Sequence, residues 1–131
     1  MLLAGYIVLA RKWRPAQFDD IVGQAPIVRT MSNAIRLNRI HHAYLLTGSR
    51  GIGKTSIARI FSKVIRCEHR VEAPDALGHM LLRSCDQCSA CKEIASGTSM
   101  TVLEIDGASN NGVEAVREIR EDVKIAPASG E

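Results

Sequence analysis

Apolar positions along the chain keep helical spacing in some stretches and run nearly unbroken in others. Ile27, Met31 and Ile35 recur every fourth residue, with Val28 and Ala34 beside them, which predicts a helix with one apolar face. Arg29, Arg36 and Arg39 lie off that face and read as solvated charge. Gly23 and Pro26 bracket the helix entry, where a proline is tolerated. His42-Ala43-Tyr44-Leu45-Leu46-Thr47 predicts a buried strand. Ile57, Ile60, Phe61, Val64 and Ile65 then fall at i, i+3, i+4, i+7 and i+8, a stripe for packing on a sheet. Arg59, Lys63 and Arg66 take the other side of that helix. Glu68 to Ser84 has weak periodicity and reads as a flexible insertion. A short helix runs from near Cys88 to Ser96-Gly97. Thr101-Val102-Leu103-Glu104-Ile105-Asp106 predicts a second buried strand, and Gly107 to Gly112 a turn. Asn111 and Glu114 make an N-cap pair for a last helix. Its apolar face is Val113, Val116, Ile119 and Val123, with Pro127 just beyond its end.

Between the first strand and the helix that follows, Gly48, Gly53, Lys54 and Thr55 complete the phosphate-loop pattern G-x-x-x-x-G-K-[ST]. The spacing has a physical basis. Glycines let the loop fold tightly and turn successive backbone N–H groups inward, making a concave anion site. The following helix points its positive dipole end at the same place. Lys54 is placed to reach the β- and γ-phosphates and Thr55 to ligate Mg²⁺, which makes them the candidate catalytic pair. Ser49, Arg50, Gly51 and Ile52 form the rest of the cradle. Ser56 borders it as a helix-start hydroxyl.

All four cysteines lie in one stretch, at Cys67, Cys85, Cys88 and Cys91. Cys-x-x-Cys-x-x-Cys, with a fourth cysteine from the preceding helix end, suits a tetrahedral thiolate site, and Zn²⁺ is the usual occupant. A closed shell gives such a site a structural role. His69 or His79 could replace a cysteine. A redox pair at Cys85 and Cys88 is a competing reading. So is an iron–sulfur cluster, although the usual ferredoxin spacings do not match.

Composition sets the bounds. The chain has 131 residues, 46% apolar and 24% charged, which is ordinary globular usage for one domain with a core. A net charge of +3 permits nucleic-acid contact without arguing for it. No apolar run approaches membrane-spanning length. Met1 to Ala10 is apolar, but Arg11-Lys12-Trp13-Arg14 follows it rather than preceding it, the wrong order for a signal peptide. The expectation is a soluble, cytoplasmic protein with no membrane partner.

Taken together, Arg14-Pro15, Phe18-Asp19-Asp20-Ile21-Val22-Gly23-Gln24, the helix, His41-His42-Ala43-Tyr44-Leu45 and the phosphate loop resemble the start of an AAA+ clamp-loader ATPase. The cysteine cluster directly after the phosphate-loop helix narrows the resemblance to one bacterial family, the gamma/tau motor subunits of DNA polymerase III. The resemblance implies an α/β P-loop domain with a parallel sheet. It implies ATP, Mg²⁺ and Zn²⁺ as cofactors. Ile21 and Val22 would line the adenine pocket, with Arg11 and Pro15 near the nucleoside. Asn110, Asn111 and Gly112 would donate to a phosphate of primed DNA, helped by the helix dipole. The implied partners are other clamp-loader subunits in a ring, the sliding clamp and primer–template DNA.

On this reading residues 1–24 are the adenine-side arm and 25–66 the helix, phosphate-loop strand and helix. Residues 67–96 are the zinc module and 101–131 the second strand and helix. A second acidic strand, sensors, an arginine finger and a helical lid would lie further on. The chain is therefore expected to be the front of such a domain, with part of an ATP site and no useful hydrolysis by itself. The alternatives are another P-loop nucleotide switch, or a truncated product whose zinc module merely binds a partner.

Overall fold

The computed structural model describes residues 9–109 and 111–124. Two compact units divide at Lys92/Glu93. In the first, α1 spans Leu9–Lys12 and a 3-10 turn spans Phe18–Asp20. Helix α2 spans Ala25–Arg36 and α3 spans Lys54–Arg66. Strands β1, Val71–Pro74, and β2, Met80–Arg83, follow. Helix α4, Ser89–Ser96, leads into the second unit, which holds α5, Val113–Asp122. Among the described residues no helix is long and apolar enough to cross a membrane.

The core of the first unit gathers α2, α3, β2 and the 3-10 turn. Phe18 is its plug. The side chain is wholly buried, and its turn contacts both helices and β2. The turn is held by Asp20, whose carboxylate accepts the backbone amides of Ala16 at 3.0 Å and Gln17 at 2.9 Å. Helix α3 buries Ile57, Ile60, Phe61 and Val64, with Ile65 at the margin, as its spacing predicts.

Helix α2 buries Val28, Met31 and Ile35, as its spacing predicts, and Ser32 with them. Ile27 is 42% exposed. Ser32 has a polar reason to be buried: its hydroxyl accepts the backbone amide of Leu82 at 2.9 Å. Apolar spacing alone does not register a serine that satisfies a buried strand amide.

Three further expectations are corrected. Lys63, predicted on the solvated side of α3, is buried. Its ammonium donates to the Ala16 carbonyl at 2.7 Å and pairs with the Asp86 carboxylate at 2.7 Å. A buried charge is tolerable because it is paired and hydrogen-bonded. The runs His42–Thr47 and Thr101–Asp106 are not strands. A strand exists through its ladder, and neither run has a ladder partner among the described residues. Leu45 and Leu103 are accordingly exposed. Helix α5 is capped by Gly112 rather than Asn111. Starting one residue later puts Glu114 out of capping-box register, and its carboxylate accepts from Arg117 at 3.1 Å instead. Pro127 lies outside the described residues.

The sheet lies where a flexible insertion was expected. Strands β1 and β2 pair antiparallel, with Val71 opposite Arg83, Glu72 opposite Leu82, Ala73 opposite Leu81 and Pro74 opposite Met80. Asp75 builds the turn. Its carboxylate accepts the amides of Leu77 and His79, both at 2.8 Å, and its own amide donates to the His79 carbonyl at 2.8 Å. Gly78 supplies the left-handed backbone there, at φ +82°. Neighbouring strand residues point to opposite faces, yet Leu81 and Leu82 are both buried, so β2 is covered on both sides.

Two outcomes follow from this packing. Phe18→Ala is expected to cost about 3–5 kcal/mol in urea unfolding, the usual range for emptying a buried phenylalanine site. Val22→Ala, at a side chain 91% exposed, should stay within about 0.5 kcal/mol. Equal effects would contradict the core assignment. The amide of His79, reinforced by that of Leu77, holds the Asp75 carboxyl below the usual aspartate value. A depressed carboxyl contributes stability that is complete above its unfolded value, about 3.9, and is lost as pH falls through the lower folded value. Amide exchange at Leu77 and His79 should therefore quicken as pH drops below about 4, beyond the intrinsic rate change. A protection factor flat down to pH 2 would contradict the turn.

Candidate functional site

Two constellations in the first unit carry chemistry, at opposite ends of α3. The first is the loop before it. Gly53 adopts a left-handed conformation, φ +93°, and its carbonyl accepts the Ile57 amide at 2.9 Å, so the loop turns straight into the helix. Gly48 takes φ +149°, a backbone that residues with a side chain rarely adopt, and a Cβ there would also displace the Ile52 side-chain tip, 2.1 Å away. Lys54 folds back over the loop and donates to the carbonyls of Gly48 and Ser49, each at 2.7 Å. The ammonium is thus held beside the loop backbone, where an anion would meet it. The first turn of α3 holds no acidic residue, so its positive end is left for an anion to satisfy. Thr55, Ser49, Arg50 and Gly51 are exposed, and Ile52 and Ser56 are half-buried.

A cleft of about 380 Å³ opens beside this loop. Gln24, Pro26, Ile27 and Thr30 border it on one side, Tyr44 to Thr47 on another, and Ile52 and Lys54 at the loop. It falls within the usual size of a small-molecule site, about 300–1,000 Å³. Tyr44 is positioned by an edge-on contact with Phe61 of α3 and by the His41 amide, which donates to its hydroxyl at 3.1 Å. Neither Ile21, Val22 nor Pro15 lines the cleft. Ile21 packs against the core, Val22 faces solvent and Pro15 is half-buried. The side chain of Arg11 lies outside the described residues. Gln24, Ile27, Thr30 and Tyr44 were missed by sequence reasoning. The signal for Ile27 was its place at the edge of the α2 stripe, which only the buried Ser32 resolves.

The second constellation is the thiol cluster. Cys67 follows the last turn of α3, Cys85 follows β2, Cys88 precedes α4 and Cys91 lies in its first turn. Their four Sγ atoms all lie within 4.8 Å of one another, and none is in a disulfide. The turn between Cys85 and Cys88 wraps a sulfur: the amides of Gln87 and Cys88 donate to Cys85 Sγ at 3.4 and 3.3 Å. The Cys85 amide donates to Cys67 Sγ at 3.2 Å. Asp86 bends the turn at φ +57°. The amides of Gln87 and Cys88 pull the Cys85 thiol down to about 6. Those of Cys91 and Glu68 lower Cys88. Burial pushes Cys67 and Cys91 up.

This donor set fits a metal ion. Tetrahedral Zn–S bonds of about 2.3 Å put sulfurs roughly 3.8 Å apart, a small contraction of the observed cluster. Backbone amides aimed at sulfur suit thiolates, which a bound dication would stabilise further. Neither His69 nor His79 joins the group. His79 instead sits against Asp75 in the hairpin turn, Nδ1 to Oδ1 at 3.5 Å.

In the second unit, Asp106 closes a turn, its carboxylate accepting from the Ala108 amide and the Ser109 hydroxyl, each at 3.0 Å. Asn111 and Gly112 are exposed at the start of α5, and Asn110 lies outside the described residues.

The chain is similar to replication proteins. It is 48% identical over 122 residues to the DNA polymerase III subunit gamma of Buchnera aphidicola from Acyrthosiphon pisum, covering 93% of this chain and 31% of that protein. It is 46% identical over 125 residues to the DNA polymerase III subunit tau of Bacillus subtilis, covering 95% of this chain and 20% of that one. Against the tau subunit of Escherichia coli it is 45% identical over 125 residues, 95% of this chain and 18% of that protein. The chain thus spans about a third or less of the curated relatives it matches. The family described as DNA polymerase III, delta subunit, matches residues 23–131. With that match over most of its length, and with gamma and tau subunits as its relatives, the chain belongs to the DNA polymerase III, delta subunit, family.

Proposed function

We propose that this chain supplies the ATP-binding front of a replicative clamp loader, an AAA+ machine that loads a sliding clamp on primed DNA. One observation carries the reading: Lys54, folded over a left-handed glycine turn at an acid-free helix start, beside an apolar cleft. Amides of the Gly48–Thr55 loop would cradle the phosphates and Lys54 would neutralise their charge. The Thr55 hydroxyl would ligate Mg²⁺. The nucleoside is assigned to the cleft lined by Ile27, Thr30 and Tyr44 rather than to Ile21, Val22 and Pro15. Cys67, Cys85, Cys88 and Cys91 would hold a structural Zn²⁺, with no open position for catalysis. Asn111 and Gly112 at the start of α5 would meet a DNA phosphate. Ring subunits, the clamp and primer–template DNA are the partners this reading requires.

Equilibrium binding of a fluorescent ATP analogue with Mg²⁺ tests the assignment. Lys54→Ala removes a charged hydrogen-bond donor, a loss of about 1.5–3 kcal/mol, and should weaken binding at least roughly tenfold. Absent binding by the wild type, or unchanged affinity in the variant, would sink it.

A further inference from the structure

The arm before α2 is tied by hydrogen bonds to the segment that carries Cys85. Residues 16–19 meet residues 83–86 across a long sequence separation. The Gln17 side chain donates to the Ser84 carbonyl at 3.1 Å and accepts the Ser84 amide at 3.1 Å, imitating one rung of a sheet. Gln17 Nε2 also donates to Asp86 Oδ2 at 2.6 Å. Lys63 joins Asp86 to the Ala16 carbonyl, both at 2.7 Å, and is buried in doing so. Asp19 accepts from Arg83 at 2.6 Å. Asp86 is the hub. It stands between two of the four cysteines, in a left-handed conformation that aspartate adopts more readily than most residues with a Cβ. That conformation is sustained by the sulfur-wrapping turn around it, so the carboxylate is aimed by the cluster.

We infer that Gln17 and Lys63 are positioning residues that make the order of the N-terminal arm depend on metal occupancy of the four cysteines. The inference rests on the proposed metal site. A bound ion locks the Cys85–Cys88 turn, the turn aims Asp86, and Asp86 with Ser84 holds Gln17 and Lys63 against the arm. Loss of the ion frees the turn, and the arm is released from that edge while Phe18 still anchors it to the core. The arm continues into Gln24 and Pro26 at the cleft, so the tie reaches the edge of the nucleotide site.

Hydrogen exchange by mass spectrometry on the Zn²⁺-loaded protein tests this, with zinc content measured first. A wild-type protein that takes up no zinc overturns the metal reading and this inference with it. Given one zinc per chain, chelation should raise exchange across residues 15–21 at least tenfold while α2 stays protected. Gln17→Ala, with its zinc retained, should show the same acceleration without chelation. Arm protection unchanged by chelation, or kept in Gln17→Ala, overturns the inference and leaves the metal site standing. Loss of protection in the arm and α2 together also overturns it, because the metal would then hold the whole unit rather than this link.

Discussion

Four sulfurs gathered within 4.8 Å are the constraint on which the first unit depends. They come from the end of α3, the return of β2 and the start of α4, so gathering them fixes where each of those elements stops or starts. Closing the long excursion between Cys67 and Cys85 costs chain entropy, which a metal clip would offset. The excursion folds as the β1–β2 hairpin and places Leu81 and Leu82 in the core beside α2. Four ionised thiols held this close would repel one another, and a dication removes that repulsion.

From that knuckle the order spreads along α3. One end of the helix carries Cys67 and the other carries Lys54, with Lys63 between them clamped to Ala16 and Asp86. The buried face of Ile57, Ile60 and Val64 keeps the helix seated, and Phe61 orients Tyr44 at the cleft. A phosphate loop must present its amides and lysine in one geometry to be useful, and the proposed one would sit on a helix seated by its buried face. The arm closes the arrangement, with Phe18 in the core and Gln17 on the knuckle.

Two features were legible in the chain: the glycine turn that opens α3 and the gathering of the four cysteines. Both are local patterns, set by backbone geometry and by residue spacing. Helix α3 was legible because its stripe is wholly apolar. The rest depended on partners far away in sequence. Lys63 looks solvated until Ala16 and Asp86 are placed beside it. Ser32 gives no apolar signal although it satisfies a buried amide, and Ile27, expected on the buried face, borders the cleft instead. The hairpin was obscured because Leu81 and Leu82 are both buried, which breaks the alternation expected of a half-covered strand. Apolar runs at His42–Thr47 and Thr101–Asp106 carry strand composition, but a ladder needs a neighbour and none stands beside them among the described residues.

The central claim is that the four thiolates hold a metal ion. The most direct test is X-ray absorption at the zinc edge on protein purified without added metal, with total zinc quantified. The account predicts one zinc per chain and a shell of four sulfurs at about 2.3 Å. A protein free of zinc, or a zinc shell of oxygen and nitrogen ligands, would contradict it.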